Sequence, residues 1–493
     1  MSRTIKLRVT NIHRFPKEVN VPVYDRSNIK TGIVHVGVGN FHRAHQAYYT
    51  DKLLALGATD WGICGIGLLP SDVRMYRDLI SQDGLYTLVV KDPEGQWDIR
   101  VIGSILEYLF APEDPETVIE KMSEPDVKII SLTITEGGYN FDAATGDFML
   151  NEPAIQRDLK NPENPKTIFG YLTQAMKLRS IRELPGLTLL SCDNIQHNGD
   201  VLKKMLISYM KEAEPGIIEW TEANLTFPNS MVDRITPVSS PTDINMLKDR
   251  FGIEDRCPVV CEPFIQWVIE ENFAGERPAW ERTGVQFVHE VSPYENMKIR
   301  LLNAGHSLLG FTGSLFGFTT IDETVRDPLV TALLRKFMDE EVTPLLGNLT
   351  GIDLEKYKDS LIRRFGNPNI GDRLSRICAE SSAKIPKFLL PTIREQLERE
   401  GPIEIGTFIV TAWFRYLELA NTEGYKYEIL DAMADKILYA VKVSTVDDPL
   451  AFLKIKNIFG TMTDSIRFVE TYIEMIDKLR ENRIQEIIKQ LIC

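Results

Sequence analysis

Short, almost wholly apolar runs punctuate the first half of the chain: Gly32–Gly39 (GIVHVGVG), Trp61–Leu68 (WGICGIGL), Val127–Thr135 (VKIISLTIT), Leu187–Asp193 (LTLLSCD) and Asn224–Phe227. Amphipathic stretches such as Phe41–Leu56 and residues 73–81 lie between them. Strands that are apolar on both faces must be covered on both faces. Short runs alternating with helices achieve this in parallel βαβ units. The pattern predicts an α/β fold with a Rossmann-like doubly wound domain over residues 1–290. Tyr86–Asp92 and Trp97–Ile102 read as a hairpin turning at Pro93–Glu94–Gly95. Beyond the strand-like Val285–Val291 the texture changes. Amphipathic segments follow one another at 293–316, 328–345, 354–364, 370–381, 386–399, 404–420, 425–443 and 463–491. Residues 291–493 are therefore expected to form a mainly α-helical C-terminal domain, and two domains suit a chain of 493 residues.

The chain carries 56 Lys+Arg against 70 Asp+Glu, a formal net charge of −14. Such a surface repels a phosphate backbone, which argues against nucleic acid or an anionic membrane as partner. No apolar run reaches the ~18–20 residues of a membrane-spanning helix, and the first 20 residues lack a signal-peptide core. A cytoplasmic protein is expected, working as a monomer, with a homo-oligomer left open. Six cysteines are too few for a disulfide framework, and Cys257 and Cys261 read as buried thiols. With no clustered Cys or His ligands, no metal is expected.

The first strand ends in Gly37-Val38-Gly39-Asn40-Phe41-His42 and a helix follows. Glycine permits the turn and close backbone approach, and helix N–H groups point at an anion. This makes Gly37, Gly39, Asn40 and Phe41 a candidate dinucleotide turn, although His42 stands where the usual fingerprint has its third glycine. The second strand leads to Ser71-Asp72. Asp72 is placed to accept hydrogen bonds from an adenosine ribose, or else to cap the helix that follows. A carboxylate there repels a 2′-phosphate, which favours NAD, while Arg74 leaves NADP open. Glu136 ends the third strand and is grouped with the cofactor residues, without a chemical role.

The second domain opens with Ser292-Pro-Tyr-Glu295-Asn-Met-Lys298, continuing to Asn303 and His306. Ser292, Pro293 and Glu295 match a capping box with proline in the first turn. At about 100° per residue, with Lys298 at 0°, Glu295 falls near 60°, His306 near 80° and Asn303 near 140°. A polar face on an otherwise apolar helix is either solvated or used. Oxidising an alcohol with NAD needs a base for the O–H proton and donors for the alkoxide, and Lys298 and Asn303 could supply them.

The segments Gly37–Ala47 (GVGNFHRAHQA), Thr133–Tyr139 (TITEGGY), Cys192–Gly199 (CDNIQHNG), Phe227–Pro237 (FPNSMVDRITP) and Lys298–His306 (K-x4-N-x2-H) occur in this order. Together they resemble the polyol-specific long-chain dehydrogenase/reductase family over nearly the whole chain. That family also carries a histidine at the position of His42. The resemblance implies a metal-independent, NAD-dependent interconversion of a polyol and a ketose, D-mannitol and D-fructose first. It implies Lys298 as general acid/base, Asn194 and Asn303 on the alkoxide, and Glu295 as a proton relay, its capping role remaining an alternative. It further implies His306, Asp233, Arg376 and Lys384 on substrate hydroxyls. Arg376 and Lys384 are cations, so reduction of a hexuronate (fructuronate or tagaturonate) stays open, as do arabinitol oxidation and a non-catalytic NAD-binding role.

Overall fold

The computed structural model describes residues 4–142, 145–347, 349–420, 429–445 and 448–493. The chain divides into two units, Met1–Ser292 and Pro293–Cys493.

The first unit is built on a six-stranded sheet. Its strands are β1 (Thr31–Val36), β2 (Gly62–Gly67), β3 (Ile105–Phe110), β4 (Ile129–Leu132), β5 (Leu187–Ser191) and β6 (Leu225–Thr226). They lie in the order β6-β5-β4-β1-β2-β3, every neighbouring pair parallel. Read from the other side this is 3-2-1-4-5-6, the order of a doubly wound dinucleotide-binding sheet. Alternate side chains feed two cores. Ile33, Ile63 and Ile129 pack on one face, and Val34, Val36, Cys64, Ile66 and Ile130 on the other. Full burial of each such side chain is worth roughly 1.5–3 kcal/mol. That is why these runs could not alternate with polar residues.

The hairpin pairs Tyr86–Lys91 with Trp97–Ile102, antiparallel, and Asp92 N–H bonds Gln96 O across its turn. The expected strands are shorter than their apolar runs, and Val127–Thr135 leaves the sheet after Leu132. The sequence reading missed β3, because only Gly103–Ser104 separate it from the hairpin and the two run together as one apolar stretch. The expected helix Phe41–Leu56 is two helices, α1 (Asn40–Ala44) and α2 (Gln46–Ala55). The break falls at His45 (φ −123°, ψ −92°), whose Nε2 meets Gln266 O at 2.9 Å and whose ring packs on Trp267.

The second unit is helical. Among its described residues the β structure is a single isolated bridge, Thr320 to Arg373. The segment 293–316 is not one helix. It comprises α3 (Ser292–Lys298), a wide π-turn at Ile299–Asn303, and α4 (Ala304–Phe316). The segment 328–345 likewise carries a π-turn at Phe337–Val342. Segment 370–381 forms helix only over Leu374–Cys378, α5, and Ser381–Phe388 is α6. Of the expected segment 425–443, residues 425–428 lie outside the described residues, and Ala434–Val443 is helical. Among the described residues no helix is long and apolar enough to cross a membrane, and no cluster of His, Cys, Asp and Glu could hold a metal ion.

Candidate active site

In the first unit the candidate residues gather at the carboxyl edge of the sheet, where parallel strands hand over to loops. Gly37 ends β1 with φ +88°, and a Cβ there would lie 2.1 Å from the carbonyl oxygen of Thr133. Backbone against backbone leaves room only for glycine. Gly39 differs. Its φ is −92° and a Cβ would approach nothing closer than Gly37 O at 3.9 Å. The space over Gly39 is open, and it caps α1, whose first N–H groups have no intrahelical acceptor. This open cradle lined by backbone donors fits a pyrophosphate. With only five residues α1 has a weak dipole, so the N–H groups carry the fit rather than the dipole.

The side chain of Asn40 accepts from Arg43 Nη2 at 2.7 Å and donates to Pro237 O at 3.5 Å, bracing α1. Its backbone N–H remains the group to offer a phosphate. Phe41 stacks on His45 at 4.8 Å. His42 is buried and its ring stacks on that of His35, centroids 3.4 Å apart. His35 meets Ser131 Oγ at 2.8 Å and Thr133 Oγ1 at 2.9 Å. Burial pushes the His35 pKa down to about 3, and burial, with the His35 and Arg43 charges, holds His42 well below its ordinary value. Two neutral rings fill the space where the usual third glycine would let the helix pack close.

Asp72 stands beyond β2, its Cβ 2.9 Å from where a Cβ on Gly67 would be. Its Oδ2 accepts the Leu69 N–H at 2.9 Å, so it caps the short turn Pro70–Asp72. Glu136 is exposed in the turn Thr135–Gly138 after β4, and Asn194 is exposed just after β5. Asp233 is buried at the end of the strand Ser230–Asp233, which pairs with Gln266–Glu270.

The residues that hold these loops were not singled out from the sequence, although they lie inside the quoted motifs. Asp193 accepts from Ile134 N, Thr135 N and Tyr139 Oη at 3.0, 2.8 and 2.8 Å, locking the Glu136 turn to the Asn194 loop. Burial raises its pKa despite those three donors. Asn198 Nδ2 donates to Asp193 O and Ser230 O at 3.0 and 2.9 Å, and Asn229 Oδ1 accepts from Gly199 N at 2.9 Å. Thr133 Oγ1 donates to Gly37 O at 2.6 Å. The available signal was polar residues at the ends of apolar runs, which must be paired when buried.

In the second unit Glu295 and Lys298 are buried in α3, at 4% and 8% exposure, and Asn303 closes the π-turn at 8%. His306 is half-buried on α4, its ring 4.7 Å from Phe365. The π-turn corrects the straight-helix reckoning. It acts as one inserted residue, taking about 100° off every later angle. Asn303 then falls near 40° and His306 near −20° instead of about 140° and 80°. The four polar groups span roughly 80°, a tighter face than a regular helix allows. Arg300, inside the turn, forms a two-pronged ion pair with Glu395 at 2.8 and 2.5 Å, which fixes the turn from behind. Arg376 on α5 is exposed and held by Asp372, and Lys384 on α6 donates to Ile377 O at 3.1 Å.

Residues 31–282 match the family described as mannitol dehydrogenase Rossmann domain, and residues 290–480 that of the mannitol dehydrogenase C-terminal domain. The chain is 43% identical to mannitol 2-dehydrogenase of Phaeosphaeria nodorum, over 99% of this chain and 86% of that protein. It is 44% identical to mannitol 2-dehydrogenase of Aspergillus fumigatus, over 93% of this chain and 92% of that one. Among solved structures it is similar to Pseudomonas fluorescens mannitol 2-dehydrogenase in ternary complex with NAD and D-mannitol. The TM-score is 0.89 at 42% identity, over 99% of both chains. A D-sorbitol dehydrogenase in substrate-free form superposes with TM-score 0.91 at 38% identity, over 98% of this chain and 100% of the other.

Proposed function

The chain belongs to the mannitol dehydrogenase family, and from that premise we propose that it interconverts D-mannitol and D-fructose. It is an NAD-dependent polyol oxidoreductase. The observation that supports D-mannitol is the Pseudomonas structure with NAD and D-mannitol, similar over 99% of both chains; D-fructose is proposed as the ketose that oxidation at C2 would give.

NAD supplies the hydride acceptor when bound. In the proposed mechanism Gly37 shapes the turn, Gly39 leaves room for the pyrophosphate, Asn40 and Phe41 present backbone N–H groups to it, Asp72 faces the ribose, and Glu136 borders the cofactor. Residues 1–290 are thus assigned to cofactor binding, with Asn194 and Asp233 also serving the substrate, and residues 291–493 to substrate and acid/base chemistry. In oxidation, neutral Lys298 removes the proton of the reacting hydroxyl. Asn194 and Asn303 donate N–H to the oxygen as it gains charge, and the C–H hydrogen leaves as hydride to NAD. The products are ketose, NADH and one proton, which Glu295 passes from Lys298 to solvent. In reduction protonated Lys298 returns the proton. Asp233, His306, Arg376 and Lys384 hold the remaining hydroxyls. Two features support the lysine. It is buried in α3, and the π-turn brings Asn303 and His306 onto its face.

The test is absorbance at 340 nm. NADH with D-fructose should be consumed and NAD with D-mannitol should generate NADH, without added metal and unaffected by chelator. NADH binding with no turnover on either pair would sink the reading in favour of a non-catalytic NAD-binding protein.

A further inference from the structure

We propose that Asp372 sets the charge preference of the substrate site: by engaging Arg376 it presents hydroxyl groups with a neutral pair, and so selects an uncharged polyol or ketose over a hexuronate. The inference rests on Arg376 and Lys384 binding substrate, as proposed above.

Asp372 Oδ1 accepts from Arg376 Nε at 2.6 Å, and Oδ2 accepts from Nη2 of the same guanidinium. The pair is not an ordinary surface contact between two mobile side chains, which would be worth little. The Asp372 side chain is only 10% exposed, whereas that of Arg376 is 63% exposed. The backbone around Asp372 is fixed. Its carbonyl accepts the Ile321 N–H at 3.0 Å, and Leu374 N–H bonds Thr319 O at 3.0 Å. The carboxylate is therefore pre-placed, and the guanidinium comes to it.

The surroundings link this pair to the candidate chemistry. A Cβ on Gly310 of α4 would lie 2.9 Å from Ile377 and 3.0 Å from Cys378 Sγ, so α5 lies tight against the helix that bears His306. α6, which carries Lys384, packs against both α4 and the π-turn. Lys384 is pointed back at α5 by its bond to Ile377 O.

The consequence follows from donor counting. A guanidinium has five N–H donors, and a carboxylate takes two of them through one edge of the fork. Three donors remain, which suits single hydroxyls. A substrate carboxylate could still reach the free Nη1/Nη2 edge, but the charge that would draw it there is already neutralised by Asp372. It would also meet a fixed negative charge of its own sign, with Lys384, itself near Asp372 and Glu380, as the second cation. The two cations that kept a hexuronate open on sequence grounds thus amount to one.

The experiment uses the full-length protein with NADH. kcat/KM is measured for D-fructose and D-fructuronate in the wild type, Asp372→Asn and the double variant Asp372→Asn/Arg376→Gln. Asp372→Asn should raise the fructuronate-to-fructose ratio by about tenfold to hundredfold, mainly through KM for the uronate, and that gain should weaken with salt. The double variant should lose the gain. An unchanged ratio in a variant that still reduces fructose overturns the assignment of Asp372 alone. A wild type that reduces fructuronate and not fructose overturns both this inference and the proposed substrate. Should Asp372→Asn fail to fold, the wild type decides by competition. D-gluconate should inhibit fructose reduction more weakly than D-mannitol does, and tighter inhibition by gluconate overturns the inference.

Discussion

The two units assemble their candidate residues in opposite ways. In the first, the residues sit at strand ends and in the turns and helix starts just beyond them. Polar side chains, chiefly the half-buried Thr133 and the buried Asp193, Asn198 and Asn229, tie one loop to the next. In the second, Glu295, Lys298, Asn303 and His306 sit on one nearly continuous helical segment, and a single wide turn decides where they point. Loops place groups through individual hydrogen bonds, whereas a helix places them by register. Damage to the first unit should therefore appear mainly in cofactor binding and stability, and damage to the second mainly in turnover.

The largest effect expected is on the helical side. Lys298→Ala should lower the rate of mannitol oxidation by about 10²–10⁴, roughly 3–5 kcal/mol in the barrier, with NADH affinity little changed. Wild-type oxidation should rise with pH as the amine loses its proton, and fructose reduction should fall. Both transitions should flatten in the variant, and a small primary amine in solution should restore part of the oxidation rate. Near-wild-type turnover with the same pH profile would make Lys298 an ordinary buried lysine and break the contrast between the units.

How much of this was readable from the sequence follows the same divide. The parallel strands of the first unit were legible because burial on both faces leaves no polar residue inside the run. Gly37 was legible because a turn after a strand announces its need for glycine. Asp193 and Asn198 were not, since a polar residue after a strand looks the same whether it meets solvent or locks a neighbouring loop. In the second unit the polar face of Lys298, Asn303 and His306 was visible. Its angles were not, because the reckoning assumed 100° per residue and nothing local in Ile299–Asn303 announces a π-turn. Packing imposes that turn, including the Arg300–Glu395 pair, whose members stand far apart in the chain. The partner of Arg376 was missed although Asp372 is only four residues away, because it precedes the helix rather than lying on its face.

Two glycines next test whether the first unit separates folding from binding. Gly37→Ala meets a backbone oxygen at 2.1 Å and a φ of +88°, so it should cost at least about 2 kcal/mol of stability and weaken NADH binding by more than about tenfold. Gly39→Ala meets nothing within 3.8 Å of its Cβ. Its melting temperature should stay near that of the wild type, while NADH affinity falls because the methyl fills the cradle. Equal loss of stability in both variants, followed by thermal melting with and without NADH, would show that the turn is structural throughout.

Acid should act on the first unit. His35 and His42 are held neutral, the former with a pKa of about 3. Their ordinary value is about 6.5, so the unfolded chain takes up protons first as pH falls. Stability is fully present above about 6.5 and drains away below it, by about 1.4 kcal/mol per pH unit for each histidine. Denaturant unfolding between pH 7 and 5.5 should show this slope, and His42→Gln should reduce it. An identical slope in the variant would mean that the stacked pair takes no part.

Alkali should act on the second unit, with the opposite sign and a smaller size. Glu341 lies in the π-turn Phe337–Val342, at 1% exposure. It accepts the Ile405 and Gly406 N–H groups at 2.6 and 2.8 Å, capping the helix Glu404–Ala420. Those two donors favour its carboxylate, yet burial outweighs them and raises its pKa to about 8. The folded state therefore keeps a proton that the unfolded chain releases near the ordinary value. This contribution to stability is whole below that value, shrinks as pH rises, and is exhausted once pH passes the folded pKa. Between pH 7 and 9 the loss should be about 1 kcal/mol and should level off above about 8. Denaturant unfolding across that range measures it in the wild type and in Glu341→Gln, which cannot titrate and should show no such slope. The variant keeps one acceptor for two N–H groups, so it should start somewhat less stable at pH 7. If the wild-type curve is flat from 7 to 9, the helix-capping bonds hold Glu341 ionised throughout. The second unit would then lose nothing in alkali, and this part of the contrast would fail.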